Sequence, residues 1–224
     1  WSCIMNLELK KRIVTSICYI SLYLMINYSY ILIISLIIIS VVTWIEFNSL
    51  IYKVFKKNKK KNLIIKFLFK LLSLIYLSSL VFLILYIETE QTHLKICLIY
   101  SILVSIVTDI GGLLIGRTIK GKKLTKISPK KTISGSIGSF LFSLVLVPIF
   151  YNELLEYNLL YLIIITLLIS LTSQVGDILI SYLKRRAKVK DTSDILPGHG
   201  GFLDRIDGII FALPIGILLF SFNL

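Results

Sequence analysis

The sequence predicts an all-α, polytopic transmembrane protein with about seven spans. Of its 224 residues, 56% are hydrophobic, more than the ~45–50% of a typical soluble domain. The apolar residues form runs of roughly 20 residues, the length that crosses the hydrocarbon of a bilayer. Charge is kept apart from these runs: 25 Lys and Arg stand against 12 Asp and Glu, for a net charge of +13. These observations exclude a soluble enzyme, a disordered tail and a disulfide scaffold.

The apolar runs are the candidate spans. They cover residues 13–28, 31–50, 71–87, 94–116, 133–151, 159–182 and 209–222. The last run is the shortest and contains Pro214, so its helix is expected to begin earlier, near Phe202. Runs such as 31–42 are apolar on every face and lack the alternation of barrel strands, which favours helices.

The first run follows a basic segment at residues 10–12, as the apolar core of a signal peptide would. Because no small-residue cleavage site follows, a retained first span is expected. Residues 1–93 are predicted to be membrane-anchoring helices and residues 94–224 the catalytic membrane domain.

Basic residues in the connections predict the orientation. They cluster at 10–12, 53–70, 117–131 and 184–205, on alternate connections. Basic connections stay on the cytoplasmic side of a membrane. The N-terminus and the three long basic loops are therefore predicted to be cytoplasmic, and the active site is expected in those loops. The lysine-rich run 53–61 is interpreted as a topology anchor at anionic headgroups.

Three acidic residues lie within apolar runs, where charge is costly and marks a functional candidate. Glu46 stands near the inner end of its span and is expected simply to reach the interface. Asp109 is interpreted as lining a functional pocket, whereas Gly112 and Gly116 have the G-x-x-x-G spacing of closely packed helices.

The third acid, Asp177, begins the richest segment. On a helix it shares one face with Ser181, Lys184 and Arg185, at i, i+4, i+7 and i+8. A carboxylate at membrane depth is thus aligned with a hydroxyl and two cations nearer the cytoplasm.

Residues 197–201, Pro-Gly-His-Gly-Gly, cannot form regular helix and predict a flexible turn whose amides can approach an anion. Asp204 and Asp207 follow on one face of the next helix. With Asp177 they predict a hard-cation site of oxygen ligands, Mg²⁺ above all. The alternative is a set of surface ion pairs.

The other basic loop contains Ser128-Pro129-Lys130-Lys131-Thr132 before an apolar run, which predicts a helix start. Two lysines oppose the helix dipole there unless an anion is bound. Lys130 and Lys131 are therefore predicted to bind phosphate.

Thirteen residues within 27 positions form what we call the signature string. They are Ser181, Lys184, Arg185, Lys190, Asp191, Ser193, Pro197, His199, Gly200, Gly201, Asp204, Arg205 and Asp207. The string resembles the signature of the phosphatidate cytidylyltransferases (CDP-diacylglycerol synthases), and residues 109–208 as a whole resemble that family. Leu113 and Ser134 depart from its usual residues.

The resemblance implies transfer of a cytidylyl group from CTP to phosphatidic acid, giving CDP-diacylglycerol and pyrophosphate for phospholipid synthesis. It further implies dependence on Mg²⁺, alone or with a second metal or a monovalent cation. A homodimer in the bacterial cytoplasmic membrane is implied, among membrane lipids and without a nucleic-acid partner.

Residues and resemblance together assign roles. The metal ligands are Asp177, Asp204 and Asp207, and these act in catalysis with Lys184 and His199. The substrate-binding residues are Ser181, Arg185, Lys190, Asp191, Gly200, Gly201, Arg205, Lys130, Lys131 and Asp109.

Two alternatives stay open. One is another CTP-dependent membrane lipid enzyme, of the polyprenol kinase or CDP-archaeol synthase type. The other is a non-enzymatic cation-coupled transporter that uses Asp109 and Asp177 as a cation path.

Overall fold

The computed structural model is all-α, as predicted, and describes residues 29–55, 61–90, 92–125, 127–128, 131–196, 198 and 200–222. Within this part of the chain the helices are α1 (Ser29–Val54), α2 (Lys61–Glu90), α3 (Thr92–Thr118), α4 (Ile133–Leu144), α5 (Leu146–Phe150), α6 (Leu159–Arg186) and α7 (Leu203–Ser221). The predicted first span, residues 13–28, lies outside the described residues.

Five segments of the described chain are long and apolar enough to cross a membrane. They are Ile31–Val54, Leu63–Thr89, Leu94–Thr118, Ile133–Phe150 and Leu159–Arg186. The chain is therefore an integral membrane protein with five candidate spans. Helix α7, which covers the last predicted run as far as Ser221, is not among the five, because Asp204, Arg205 and Asp207 occupy its first turns. The count of seven spans and the orientation stay predictions.

The starts of two helices can be compared with those predicted from the sequence. Helix α7 begins at Leu203, which confirms the expected start near Phe202. Helix α2 begins at Lys61, well before residue 71, where the apolar run was predicted to start. The earlier start is possible because long lysine stems lie along apolar surface while their ammonium groups reach aromatic rings. Lys66 Nζ lies 4.2 Å from the centre of the Tyr52 ring.

The chain divides into two compact units. The first comprises Trp1–Leu85 with Leu183–Arg205, and the second comprises Tyr86–Tyr182 with Ile206–Leu224. The sequence predicted a different kind of division, between membrane-anchoring helices up to residue 93 and a catalytic domain from residue 94. That division stays a prediction.

In the first unit, helix α6 ends in a defined cap. The amide of Lys188 donates to the carbonyl of Arg185 (3.1 Å), and the amide of Val189 donates to that of Lys184 (3.0 Å). Lys188 has φ +58°, the left-handed conformation that this pair of bonds requires. The cap ends α6 two residues before Lys188 and directs the chain into the loop that contains most of the signature string.

In the second unit, α3 packs on α4 through small residues. A Cβ placed on Gly112 would lie 2.6 Å from Ser139 Oγ, and one on Gly111 would lie 2.9 Å from the carbonyl oxygen of Gly138. Such spacings leave room only for hydrogen, so the interpretation of the glycine spacing as close helix packing is confirmed.

In the same unit, hydrogen bonds between pairs of hydroxyl groups join α3 to α6. Thr108 Oγ1 donates to Ser170 Oγ (2.9 Å), and the hydroxyls of Ser105 and Ser173 lie 2.7 Å apart. All four side chains are buried. Interhelical hydrogen bonds of this kind hold helices together where lipid offers no hydrophobic driving force, and they fix α6 immediately before Asp177.

Candidate active site

The loop between α6 and α7 contains the predicted turn. Leu196 and Gly200 exchange two backbone hydrogen bonds of 2.9 and 3.1 Å. Gly198 and Gly200 have φ values of +77° and +83°, which glycine adopts without steric cost. The prediction of a non-helical turn is therefore confirmed. His199 and Pro197 lie outside the described residues, so the role of His199 stays a prediction.

Asp204 organises this loop from the first turn of α7. Its Oδ1 accepts a hydrogen bond from Lys184 Nζ at 2.6 Å. Its Oδ2 accepts from the amide of Thr192 (2.8 Å), the hydroxyl of Thr192 (3.0 Å) and the amide of Gly201 (3.1 Å). The side chains of Lys184 and Asp204 are 12% and 7% exposed, so their ion pair is largely shielded from water.

The electrostatics of Asp204 follow from these contacts. Burial by itself raises the pKa of a carboxyl group, but the hydrogen bond from Lys184 and those from Thr192 and Gly201 outweigh it. The pKa of Asp204 therefore lies below its ordinary value, and the residue is an anion at neutral pH.

Glu46 of α1 contacts the same loop, although the sequence suggested only an interfacial residue. Only 2% of the surface of Glu46 is exposed, so the expectation that its side chain reaches the membrane–water interface is wrong. Its carboxylate accepts hydrogen bonds from Thr192, Ser193, Phe202 and Leu203. We call Glu46, Lys184, Thr192, Gly201 and Asp204 the loop cluster.

The glycines of the loop face these carboxylates. A Cβ on Gly201 would lie 1.9 Å from Thr192 Oγ1 and 2.5 Å from Glu46 Oε2. A Cβ on Gly200 would lie 3.1 Å from Asp204 Oδ2 and 3.3 Å from Asp191 Cβ. From the sequence we expected the backbone at these glycines to lie close to a phosphate. In the structure it lies close to the carboxylate groups of Glu46 and Asp204.

A second group of predicted residues, the helix cluster, lies in the second unit and comprises Lys131, Asp177 and Ser181. The hydroxyl of Ser181 donates to Asp177 Oδ1 at 3.2 Å, as the i, i+4 spacing predicted. Lys131 Nζ forms an ion pair with Asp177 Oδ2. Asp109 is within electrostatic range of both Asp177 and Lys131.

Local sequence explains the position of Lys131. Thr132 caps α4, and its hydroxyl oxygen accepts a hydrogen bond from the amide of Gly135 at 3.0 Å. This confirms the helix start predicted after residues 128–132. Lys130 lies outside the described residues, and phosphate binding by the two lysines stays a prediction.

The remaining predicted residues differ in exposure. Four of them are exposed, namely Arg185, Lys190, Asp191 and Arg205. Asp207 is buried, with 6% of its surface exposed, and its Oδ1 accepts a hydrogen bond from the amide of Gly208 (2.9 Å). Among the described residues, no group of three or more His, Cys, Asp or Glu side chains is arranged to hold a metal ion. The predicted aspartate trio is thus not observed as a metal-holding group, and its role stays a prediction.

The sequence matches the cytidylyltransferase family over residues 4–222, nearly the whole chain. The chain belongs to the cytidylyltransferase family. Both clusters and the loop between α6 and α7 lie inside the matched region.

Individual relatives match the chain over a shorter stretch. It is 42% identical over 130 residues to a phosphatidate cytidylyltransferase of Rickettsia bellii, covering 54% of this chain and 54% of the relative. It is 43% identical over 117 residues to one of Bacillus subtilis (51% and 44%), and 43% identical over 135 residues to one of Rickettsia prowazekii (56% and 58%). The chain thus spans about half the length of the curated relatives it matches.

Sequence reasoning missed Glu46 and Thr192 as members of the loop cluster. The available signal was a carboxylate inside an apolar run, which is costly unless satisfied. Nothing in the local sequence indicates which donors satisfy it, because Glu46 and Leu203 are 157 residues apart.

Proposed function

We propose that this chain is a CTP:phosphatidate cytidylyltransferase, which makes CDP-diacylglycerol and pyrophosphate for phospholipid synthesis. The observation that supports it best is the signature string, whose Lys184 and Asp204 form a shielded ion pair at the start of α7. Membership of the cytidylyltransferase family and relatives named phosphatidate cytidylyltransferase support the same activity.

The proposed reaction places two anions against each other. A phosphate monoester has a second pKa of ~6, so phosphatidate is largely a dianion near neutral pH and needs little help from a general base. One of its oxygens forms a bond to the α-phosphorus of CTP while the bond from that phosphorus to the bridging oxygen of pyrophosphate breaks. The main task of the protein is therefore to neutralise charge and align the groups.

Two lysines would serve that task. Lys184 is held by Asp204, and Lys131 by Asp177. An ammonium group forms charge-assisted hydrogen bonds with phosphate as it does with carboxylate, so each lysine could contact an arriving phosphate while remaining near its aspartate. Arg185 and Arg205, both exposed, would add further phosphate contacts.

The donor chemistry of the three aspartates fits a hard cation, because carboxylate oxygens are the protein ligands that Mg²⁺ favours. Two of them, Asp177 and Asp204, each already hold an ammonium group. Asp177, Asp204 and Asp207 would hold Mg²⁺, which when bound supplies positive charge to the reacting phosphates.

We also propose a homodimer in the bacterial cytoplasmic membrane with the reaction on the cytoplasmic side.

The test is a turnover assay on the purified chain in detergent with CTP, Mg²⁺ and phosphatidic acid. Pyrophosphate and CDP-diacylglycerol should form only when both substrates are present. Release of CDP instead of pyrophosphate would indicate a lipid kinase, and a preference for archaeal ether lipids over phosphatidic acid would indicate a CDP-archaeol synthase. Ion flux into proteoliposomes without CTP turnover would indicate a transporter.

Variants test the assigned residues. Asp177→Asn and Asp204→Asn should each abolish product formation while the protein still inserts into the membrane. Asp194→Asn is the matched control, since Asp194 is an exposed carboxylate of the same loop. Retained turnover in both Asp177→Asn and Asp204→Asn would contradict the metal assignment.

A further inference from the structure

Glu46 is a buried carboxylate that accepts four hydrogen bonds. Its Oε1 accepts hydrogen bonds from Ser193 Oγ (2.5 Å) and the amide of Phe202 (3.1 Å). Its Oε2 accepts from Thr192 Oγ1 (2.9 Å) and the amide of Leu203 (2.8 Å). All four donors lie in the loop between α6 and α7 or at the start of α7, and no donor comes from α1 itself.

These donors explain why a carboxylate is tolerated in an apolar helix. A buried charge is costly unless hydrogen bonds replace its water shell. The amides of Phe202 and Leu203 belong to the N-terminus of α7, where backbone amides have no partner inside the helix. Glu46 therefore caps α7 from a different helix, and its negative charge suits the positive end of the α7 dipole.

Thr192 links this cap to the ion pair. Its single hydroxyl hydrogen is shared between Glu46 Oε2 (2.9 Å) and Asp204 Oδ2 (3.0 Å), and its amide donates to Asp204. Gly201 lies against both Glu46 and Thr192, so closely that only hydrogen fits in place of a side chain. A continuous set of hydrogen bonds thus runs from Glu46 through Thr192 and Asp204 to Lys184.

We propose that Glu46 is a positioning residue: it holds the loop and the start of α7 in place, and thereby sets the position of Asp204 and Lys184 for the reaction. The catalytic consequence rests on the proposed function, whereas the local ordering of the loop does not.

Glu46→Gln is the most informative variant because it preserves the shape of the side chain while it removes the negative charge and replaces one acceptor oxygen by an NH₂ donor. In either orientation the new NH₂ group faces one backbone amide, of Phe202 or of Leu203. Hydroxyl groups can rotate to accept a hydrogen bond, but a backbone N–H cannot. The variant therefore leaves one amide at the α7 N-terminus without an acceptor, whichever way the side chain turns.

The measurement is hydrogen exchange by mass spectrometry on the full chain in detergent. We expect exchange at residues 201–203 to become about 10- to 100-fold faster in Glu46→Gln, the range that losing a hydrogen bond to a charged group gives. Exchange in α3 and α4 should stay within about twofold, because the change is local. In the cytidylyl-transfer assay, kcat should fall at least tenfold.

Glu88→Gln is the matched control. Glu88 is also a helical glutamate, but its partner is Lys95, whose side chain is 46% exposed. Its substitution should leave both the exchange at 201–203 and the turnover at the level of the unsubstituted protein.

A second pair of variants keeps the proposal testable if Glu46→Gln does not fold. Thr192→Val removes the linking hydroxyl and should speed exchange at 201–203 and lower kcat, whereas Thr192→Ser retains the hydroxyl and should restore both. Unchanged exchange at 201–203 in Glu46→Gln, or equal behaviour of Thr192→Val and Thr192→Ser, would overturn the proposal. If the unsubstituted chain makes no pyrophosphate, the proposed function fails, but the exchange results still decide the role of Glu46.

Discussion

Asp204→Asn offers the most direct measure of how strongly the loop cluster is held together. The substitution keeps the size of the side chain but replaces one carboxylate oxygen by NH₂. At the Oδ2 position that group would face three donors, from Thr192 and Gly201. At the Oδ1 position it would face only the ammonium of Lys184, so the second orientation costs less.

The loss is then mainly that of the ion pair with Lys184. Breaking a buried pair by removing one charge typically costs ~3–5 kcal/mol. Because the two side chains retain 12% and 7% exposure, the lower end of that range applies, and we expect about 3 kcal/mol. At roughly 2–4 °C per kcal/mol for a chain of this size, the thermal midpoint should fall by about 6–12 °C.

The assay is thermal unfolding in detergent, combined with a double-mutant cycle using Lys184→Met. If the pair accounts for the loss, Asp204→Asn should cost only about 1 kcal/mol in the Lys184→Met background. Asp194→Asn should leave the midpoint unchanged within about 1 °C, as surface substitutions away from such features do. Equal losses from Asp204→Asn with and without Lys184 would refute the reasoning.

Three further predictions concern other features. Because the folded-state pKa of Asp204 is lowered, the stability it contributes should be fully present above about pH 4 and lost as the pH falls through that lowered value, so that the midpoints of the unsubstituted protein and Asp204→Asn converge only below about pH 4. Gly111→Ala should destabilise the chain by about 1–3 kcal/mol, since its Cβ would lie 2.5 Å from Phe142 Cβ, whereas the exposed Leu113→Ala should have little effect in the same melts. Lys188→Gly should raise the unfolding free energy by about 1 kcal/mol, because it relieves a left-handed conformation; a lower midpoint would contradict this.

The parts of the fold and site that rest on local chemistry could be predicted from the sequence. The contact between Asp177 and Ser181 follows from helical periodicity, and the cap at Thr132 follows from the helix-start pattern. The turn at Gly198 and Gly200 follows from the conformations that glycine alone adopts easily. Each of these features involves residues only a few positions apart.

The parts that depend on distant partners could not be predicted. Glu46 has the same local pattern as an interfacial residue, and only its hydrogen bonds to Thr192 and Leu203 distinguish it. The start of α2 was placed too late because hydropathy counts a lysine by its charge, whereas its ammonium group can lie over an aromatic ring, as that of Lys66 does over Tyr52.

The separation of 157 residues between Glu46 and Leu203 has a consequence for biosynthesis. Helix α1 leaves the ribosome long before the donors that satisfy its carboxylate have been made, so these hydrogen bonds cannot form while α1 is being synthesised. The loop can reach its final order only after translation has passed α7. Order in this loop is therefore established after the early helices have been made, and not together with them.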